Sequence, residues 1–238
     1  MTQTGLTTQT GSTNQDGGTH VTVQGLLDSL QATRDAEWPP EQLHASATLR
    51  RSLEANADRA RFVKPGDLVQ PFALPEVDGG QVVLTDLLAD GPVVLLFFRF
   101  ADCPACNTAL SGYQVALEPA LRELGARLVA ISPQVPEKLV AIKKRHHFDF
   151  LVASDHEYTL IDTFGIGFDP DEESKRKYLQ GGHDFSVILG TGRWTLPYPT
   201  VVVIDRDRVV RFADVHPNWM IRTEATTVLD AVRSPGQR

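Results

Sequence analysis

The clearest pattern in the chain is an unbroken apolar run, Pro92-Val93-Val94-Leu95-Leu96-Phe97-Phe98, followed by apolar positions at helical spacing, Leu110, Tyr113, Leu117, Leu121 and Leu124. The run predicts a strand buried on both faces, and the spacing predicts a helix from Asn107 towards Leu124. Pro119 falls inside that helix and predicts a break or kink, because an interior proline removes a hydrogen bond; Gly125 predicts its end. Upstream, Phe72–Leu74 and Gln81–Leu84 read as short strands around the turn Asp78-Gly79-Gly80, with Thr85-Asp86 placed to cap a short helix at Leu87-Leu88. Downstream come a second buried strand, Arg127–Ile131, a loop Ser132–Pro136, and a helix Glu137–His147 with Leu139, Val140 and Ile142 inward. Phe148–Ala153 reads as a strand and Tyr158–Phe164 as a helix. Thr200–Ile204, the turn Asp205-Arg206-Asp207 and Arg208–Phe212 read as an antiparallel hairpin, and an amphipathic helix over Arg222–Val232 closes the chain. Strands alternating with helices at this spacing predict an α/β core with parallel strands.

Three regions follow. Residues 1–20 form a Thr/Gln/Gly/Ser tract with little to bury, expected to be a disordered tail. Residues 21–62 turn helical, with Leu26, Leu27 and Leu30 in one stripe and Leu43, Ala47, Leu49 and Leu53 in another after Pro39-Pro40. This extension is expected to pack on the domain or on a second subunit rather than carry chemistry. Residues 63–238 form the domain proper. Within it, Gly165–Leu196 lacks a clear period and is expected to be an insertion loop at the active end of the sheet, with Lys175-Arg176-Lys177 on a solvated face.

Composition narrows the class. The 238 residues are 42% hydrophobic with a net charge of -7, enough for one sizeable core and against a nucleic-acid surface. No apolar run reaches spanning length and no signal-peptide pattern opens the chain, so a cytoplasmic protein without membrane contact is expected.

The only two cysteines, Cys103 and Cys106, sit where the central strand gives way to the helix. Pro104 falls in the first helical turn, where a missing N–H costs little. The unpaired amides and the dipole of that turn favour a thiolate, so Cys103 is expected to have a depressed pKa and to attack. Cys106, one turn further in and more sheltered, is placed to resolve a sulfenic acid or mixed disulfide on Cys103. Strand, Cys-X-X-Cys and helix together signal a thioredoxin-like redox site. A zinc site would need a second ligand pair, and nothing fixes His146, His147 or His183 at the right spacing; no metal or cofactor is called for. Two inert core thiols are the other reading of the pair.

Pro65-Gly66-Asp67, Phe72-Ala73-Leu74, Pro92-Val93-Val94, Phe98-Arg99, Cys103-Pro104-Ala105-Cys106, Ile131-Ser132-Pro133-Gln134, Leu196-Pro197-Tyr198-Pro199-Thr200 and Val203-Ile204-Asp205 occur in one order. In this the chain resembles the peroxiredoxin-like branch of the alkyl hydroperoxide reductase/thiol-specific antioxidant family, over roughly Val21 to Val232. The resemblance implies a thioredoxin-like α/β fold, a central mixed sheet flanked by helices. It implies a thiol-dependent peroxidase acting on hydrogen peroxide or organic hydroperoxides, with a thioredoxin-like or small-thiol electron donor; a homodimer through the N-terminal helices follows by analogy. It implies that Pro199 is a cis proline beside the sulfurs, unless Tyr198-Pro199 is an ordinary trans turn, and that Arg99 stabilises the thiolate, unless Arg99 instead pairs with Asp102 or Asp86. It also places Arg193 and Trp194 at the pocket. Two positions depart from the family pattern. The Thr or Ser hydroxyl three residues before the peroxidatic cysteine is Cys103 before Cys106, and Phe100 before Cys103. Asp102 replaces an aromatic and is expected to raise the pKa of Cys103. A thioredoxin-like disulfide reductase and a non-enzymatic redox sensor therefore stay open.

Overall fold

A computed structural model describes residues 22–234; the expected tail, residues 1–20, lies outside them. The described residues open with two helices, α1 (Val23–Glu37) and α2 (Pro40–Asn56). A small hairpin of β1 (Ala73–Pro75) and β2 (Gln81–Val83) follows, then α3 (Leu84–Asp90), β3 (Val93–Phe97), α4 (Pro104–Ala116), α5 (Glu118–Glu123) and β4 (Arg127–Ser132). Next come α6 (Pro136–His146), β5 (Leu151–Ser154), α7 (Thr159–Thr163), β6 (Gly167–Phe168), α8 (Glu172–Gln180) and α9 (Phe185–Leu189). The last elements are β7 (Leu196–Pro197), β8 (Thr200–Ile204), β9 (Val210–Val215) and α10 (Ala225–Arg233).

The main sheet has the order β5-β4-β3-β8-β9. β3 runs parallel to β4, with Leu95 opposite Val129, and antiparallel to β8, with Leu95 opposite Val202. It is buried along its whole length. Because side chains alternate across a strand, β3 feeds two cores. Val94 and Leu96 join Leu110, Leu139, Ile142 and Val228 on the face covered by α4, α6 and α10. Val93, Leu95 and Phe97 join Leu84, Leu88, Leu160 and Ile161 on the face covered by α3 and α7. Each such side chain taken fully out of water contributes about 1.5–3 kcal/mol, so this strand is the fixed frame from which the cysteine loop leaves.

The long helix predicted after the cysteines is two helices. The chain breaks at Leu117, and Pro119 sits in the first turn of α5, where it costs no hydrogen bond. Gly125 follows α5 at φ 68°, a left-handed cap. α1 packs directly on α4 at Gly112, where an added Cβ would stand 3.0 Å from Leu26 Cδ1. Its N-terminus is held by the Glu224 carboxylate, which accepts from Val23 N–H at 3.1 Å and Gln24 N–H at 2.9 Å. α2 buries no residue fully, but Leu49 and Leu53 rest on the core.

Two local expectations are corrected. Thr85-Asp86 does not cap α3; the helix starts one residue earlier, at Leu84, with Val83 as a cap that offers no side chain. Leu84 is wholly buried, and packing sets the start instead. Residues 165–196 are not a bare loop but carry α8, α9 and the β6–β7 pair around a small core of Phe185, Leu189 and Leu196.

Candidate active site

Cys103 is the N-cap of α4, with Pro104 the first helical residue. Its sulfur takes the role of a Ser or Asp cap oxygen, accepting the Cys106 N–H at 3.3 Å. The loop before it is fixed from several sides. Ala101 N–H donates to Gln134 Oε1 at 2.6 Å, and Asn107 Nδ2 donates to the carbonyls of Ala101 and Cys103. Gln134 is held in turn by donating to Ile188 O and accepting, at its carbonyl, from Ser154 Oγ. Asn107 Oδ1 meets His146 Nε2 at 2.6 Å; since the amide nitrogen of Asn107 is used twice as a donor, the imidazole donates here.

Arg99, 8% exposed, donates from Nη2 to Cys103 Sγ at 3.0 Å. Of the two roles expected for Arg99, the structure therefore has the thiolate contact, and not a pair with Asp102 or Asp86. Asp102 turns to solvent and faces Arg145 at 3.8 Å, so it does not oppose the Cys103 charge as its position in the sequence suggested. Burial alone would raise the Cys103 thiol, but a hydrogen bond from the Cys106 thiol, the Arg99 charge and N–H, and the Cys106 amide outweigh it. They hold Cys103 well below the usual thiol range. Burial, together with the Cys103 hydrogen bond and charge, pushes Cys106 well above it, against the positive charges of Arg99 and Arg222. Near neutral pH the pair therefore favours a Cys103 thiolate beside a protonated Cys106. Cys106 is no more sheltered than its neighbour: both are buried, Cys103 at 0% and Cys106 at 1% exposure.

The groups around the sulfurs come from distant parts of the chain. Trp219 lies beneath the Arg99 guanidinium, 4.6 Å to the ring centroid, with Arg50 of α2 also over that indole at 5.9 Å. Arg34 of α1 donates to Met220 Sδ at 3.1 Å, and its charge and that of Cys103 act on each other. The helical extension thus contributes cations to the site rather than packing alone. A cavity of about 20 Å³ opens against Cys106, lined by Tyr113, Pro199, Thr200, His216, Arg222 and Thr223 among others. A larger one of about 330 Å³ lies between α2 and residues 165–178.

Pro199 reaches the expected place, but not in the expected form. No described peptide bond is cis, so Tyr198–Pro199 is trans. The approach is already extended there, with Tyr198 N–H donating to Ile166 O next to the β6–β7 pair, and Thr200 Oγ1 donating back to Tyr198 O. Trp194 packs edge-on to Phe185 at 5.7 Å in the small core that touches Phe100, and is not among the residues lining the Cys106 cavity. Arg193 stacks on Tyr158 at 3.8 Å. Reasoning from the sequence brought Cys103, Cys106, Arg99 and Pro199 together but gave no role to Gln134, Asn107, Trp219 or Arg222. Among the described residues no group of three His, Cys, Asp or Glu side chains is arranged to hold a metal, and no helix is long and apolar enough to cross a membrane.

The site has relatives of known name. The chain is 31% identical over 104 residues to peroxiredoxin Bcp of Escherichia coli (strain K12), a match covering 44% of this chain and 65%, just under two thirds, of that protein. It is 34% identical over 104 residues to a putative peroxiredoxin of Mycobacterium tuberculosis (strain ATCC 25618 / H37Rv), covering 44% and 67%. Among solved structures it is similar to peroxidoxin BcpB from Mycobacterium tuberculosis, with TM-score 0.56, 26% identity, and coverage of 72% of this chain and 97% of that one. The fold is also that of peroxiredoxin 6 of Arenicola marina, at TM-score 0.55 and 18% identity over 71% of this chain and 72% of that one. The family model for AhpC/TSA matches residues 65–213, most of the chain, including both cysteines, Arg99 and Pro199 but neither the His216–Thr223 wall nor the N-terminal helices, and the chain belongs to the AhpC/TSA family.

Proposed function

We propose that this protein is a thiol-dependent peroxidase that works through the Cys103–Cys106 pair. The observation that carries the reading is a wholly buried Cys103 sulfur held as a thiolate by Arg99 at 3.0 Å. The thiolate attacks the peroxide O–O bond. A sulfur–oxygen bond forms, the O–O bond breaks, and the departing alkoxide or hydroxide takes a proton, leaving Cys103 as a sulfenic acid. The Arg99 guanidinium stabilises the charge that moves from sulfur to oxygen. Cys106 then condenses with the sulfenic acid, releasing water, and a thioredoxin-like or small-thiol donor returns two electrons and two protons to the disulfide. Such a cycle suits a reducing compartment such as the cytoplasm. Pro199 walls the site, and Trp194 backs the cysteine loop through Phe185 and Phe100.

Burial favours a small peroxide over the disulfide-reductase reading. A small peroxide needs less opening of the loop to reach a sulfur at 0% exposure than a protein disulfide does, and the thiol donor acts on the oxidised pair once the loop has opened. Peroxide consumption with a thioredoxin system separates the two. Wild type turns over; Cys103→Ser does not; Cys106→Ser consumes one equivalent and stops. Turnover of a protein disulfide without turnover of peroxide would overturn the assignment.

A further inference from the structure

Arg222 is a buried guanidinium whose bonds do not account for it. Its Nη1 donates to Trp219 O at 2.6 Å and to Ile221 O at 2.7 Å, while Nη2 is buried without a partner. The residue is 8% exposed and lines the same small cavity as Cys106. At about 20 Å³ that cavity has room for a water-sized molecule. A structural arginine buried this deeply uses its donors, so an idle one beside a sulfur marks a task.

We propose that Arg222 is the positioning cation of the resolving step, stabilising the Cys106 sulfur as it loses its proton and attacks oxidised Cys103. The proposal rests on the peroxidase reading above. The step balances without an outside oxidant. The sulfur–sulfur bond forms as the Cys103 sulfur–oxygen bond breaks, and the departing hydroxide leaves as water with the Cys106 proton. The charges around Cys106 explain its timing. In the reduced protein its proton is held by burial and by the Cys103 hydrogen bond and negative charge, against Arg99 and Arg222. Once Cys103 is a neutral sulfenic acid, that negative charge is gone and both guanidiniums stay. Cys106 thus turns from proton keeper to nucleophile because its neighbour has reacted. The other ionisable groups facing this space are Tyr113, whose hydroxyl donates to Thr223 O at 2.6 Å, and His216, whose Nε2 lies 3.0 Å from Asp214 Oδ2. Glu224 is turned away, occupied by the α1 amides.

The test is single-turnover oxidation of the full reduced chain by hydrogen peroxide at a series of pH values. Sulfenic acid and disulfide are followed by quenching with a sulfenate-trapping reagent and mass spectrometry, in wild type, Arg222→Gln and Arg222→Lys. In wild type, disulfide closure should titrate at least about one pH unit below the Cys106 thiol of the reduced protein, a factor of ten in acidity. Arg222→Gln keeps a donor but no charge; its sulfenic acid should form at the wild-type rate and close about tenfold more slowly, with the closure midpoint moved to higher pH. Arg222→Lys should keep the wild-type midpoint. A wild-type closure midpoint equal to that of the reduced thiol, a Gln variant with an unmoved midpoint, or a Lys variant displaced as far as Gln would each overturn the proposal. If wild type forms no sulfenic acid on Cys103, it is the peroxidase reading that fails.

Discussion

Two buried charged clusters flank the sheet of this protein, and they are built on opposite rules. At the β1–β2 corner, Glu76 accepts from Lys143 Nζ at 2.7 Å, Val152 N–H at 3.2 Å and Asp78 N–H at 2.6 Å, and Lys143 also pairs with Asp78. Every charge there has its partners, and the cluster ties α6 and β5 to the hairpin. At the sulfurs, Arg99 Nε and Arg222 Nη2 are buried and unpartnered, each at a cost of about 1–3 kcal/mol. A saturated cluster holds shape, whereas an unsaturated one keeps binding capacity in reserve for charge that appears during a reaction.

The sharpest way to break this contrast is to remove groups from each cluster and watch activity and stability part company. Cys103→Ser should lower peroxide consumption about a thousandfold or more, as loss of a nucleophile does. Its melting temperature should not fall, because serine is a good N-cap for α4. Arg99→Met should come next, slowing sulfenic acid formation at neutral pH by about ten- to a hundredfold as the Cys103 thiol rises. Its stability, read by denaturant, should fall by less than that of Lys143→Met, since the sulfur left behind regains its proton and a buried cation with an idle donor has gone; a loss as large would count against the contrast.

Lys143→Met tests the other side. It strands the buried Glu76 carboxylate and should cost about 3 kcal/mol of stability, while the rate per folded molecule stays unchanged. The smallest effect concerns Asp155, whose carboxyl is raised by burial to about 6 although the amides of Ile161 and Leu160 donate to it. The folded state therefore holds that proton more tightly than the unfolded chain. The contribution is fully present below about pH 4 and lost as pH rises through about 6, a change of at most about 3 kcal/mol spread over that window. Asp155→Asn should lack that slope, so denaturation curves of the two proteins should diverge in the variant's favour between pH 4 and 7.

What the sequence makes legible follows from how locally each feature is encoded. The apolar run of β3, Pro104 at the first helical position and the Cys-X-X-Cys spacing are read within a few residues, and the structure keeps them all. α8 escaped because it buries nothing and so has no apolar period; its local marks were the Asp171 cap, which accepts from Ser174 N–H at 2.7 Å, and the Glu172–Lys175 and Glu173–Lys177 pairs. Trp219, Arg222, Arg34 and Arg50 could not be read at all as site residues. They come from α1, α2 and the segment between β9 and α10, far from the cysteines in sequence, and only the tertiary packing, α1 on α4 among it, gathers them around the site.

The indole of Trp219 has a practical consequence. It is stacked against the guanidinium that also grips Cys103, so its emission should follow the redox state of that sulfur. Oxidation should change the local field at the ring, and intrinsic fluorescence would then time each turnover without any added dye.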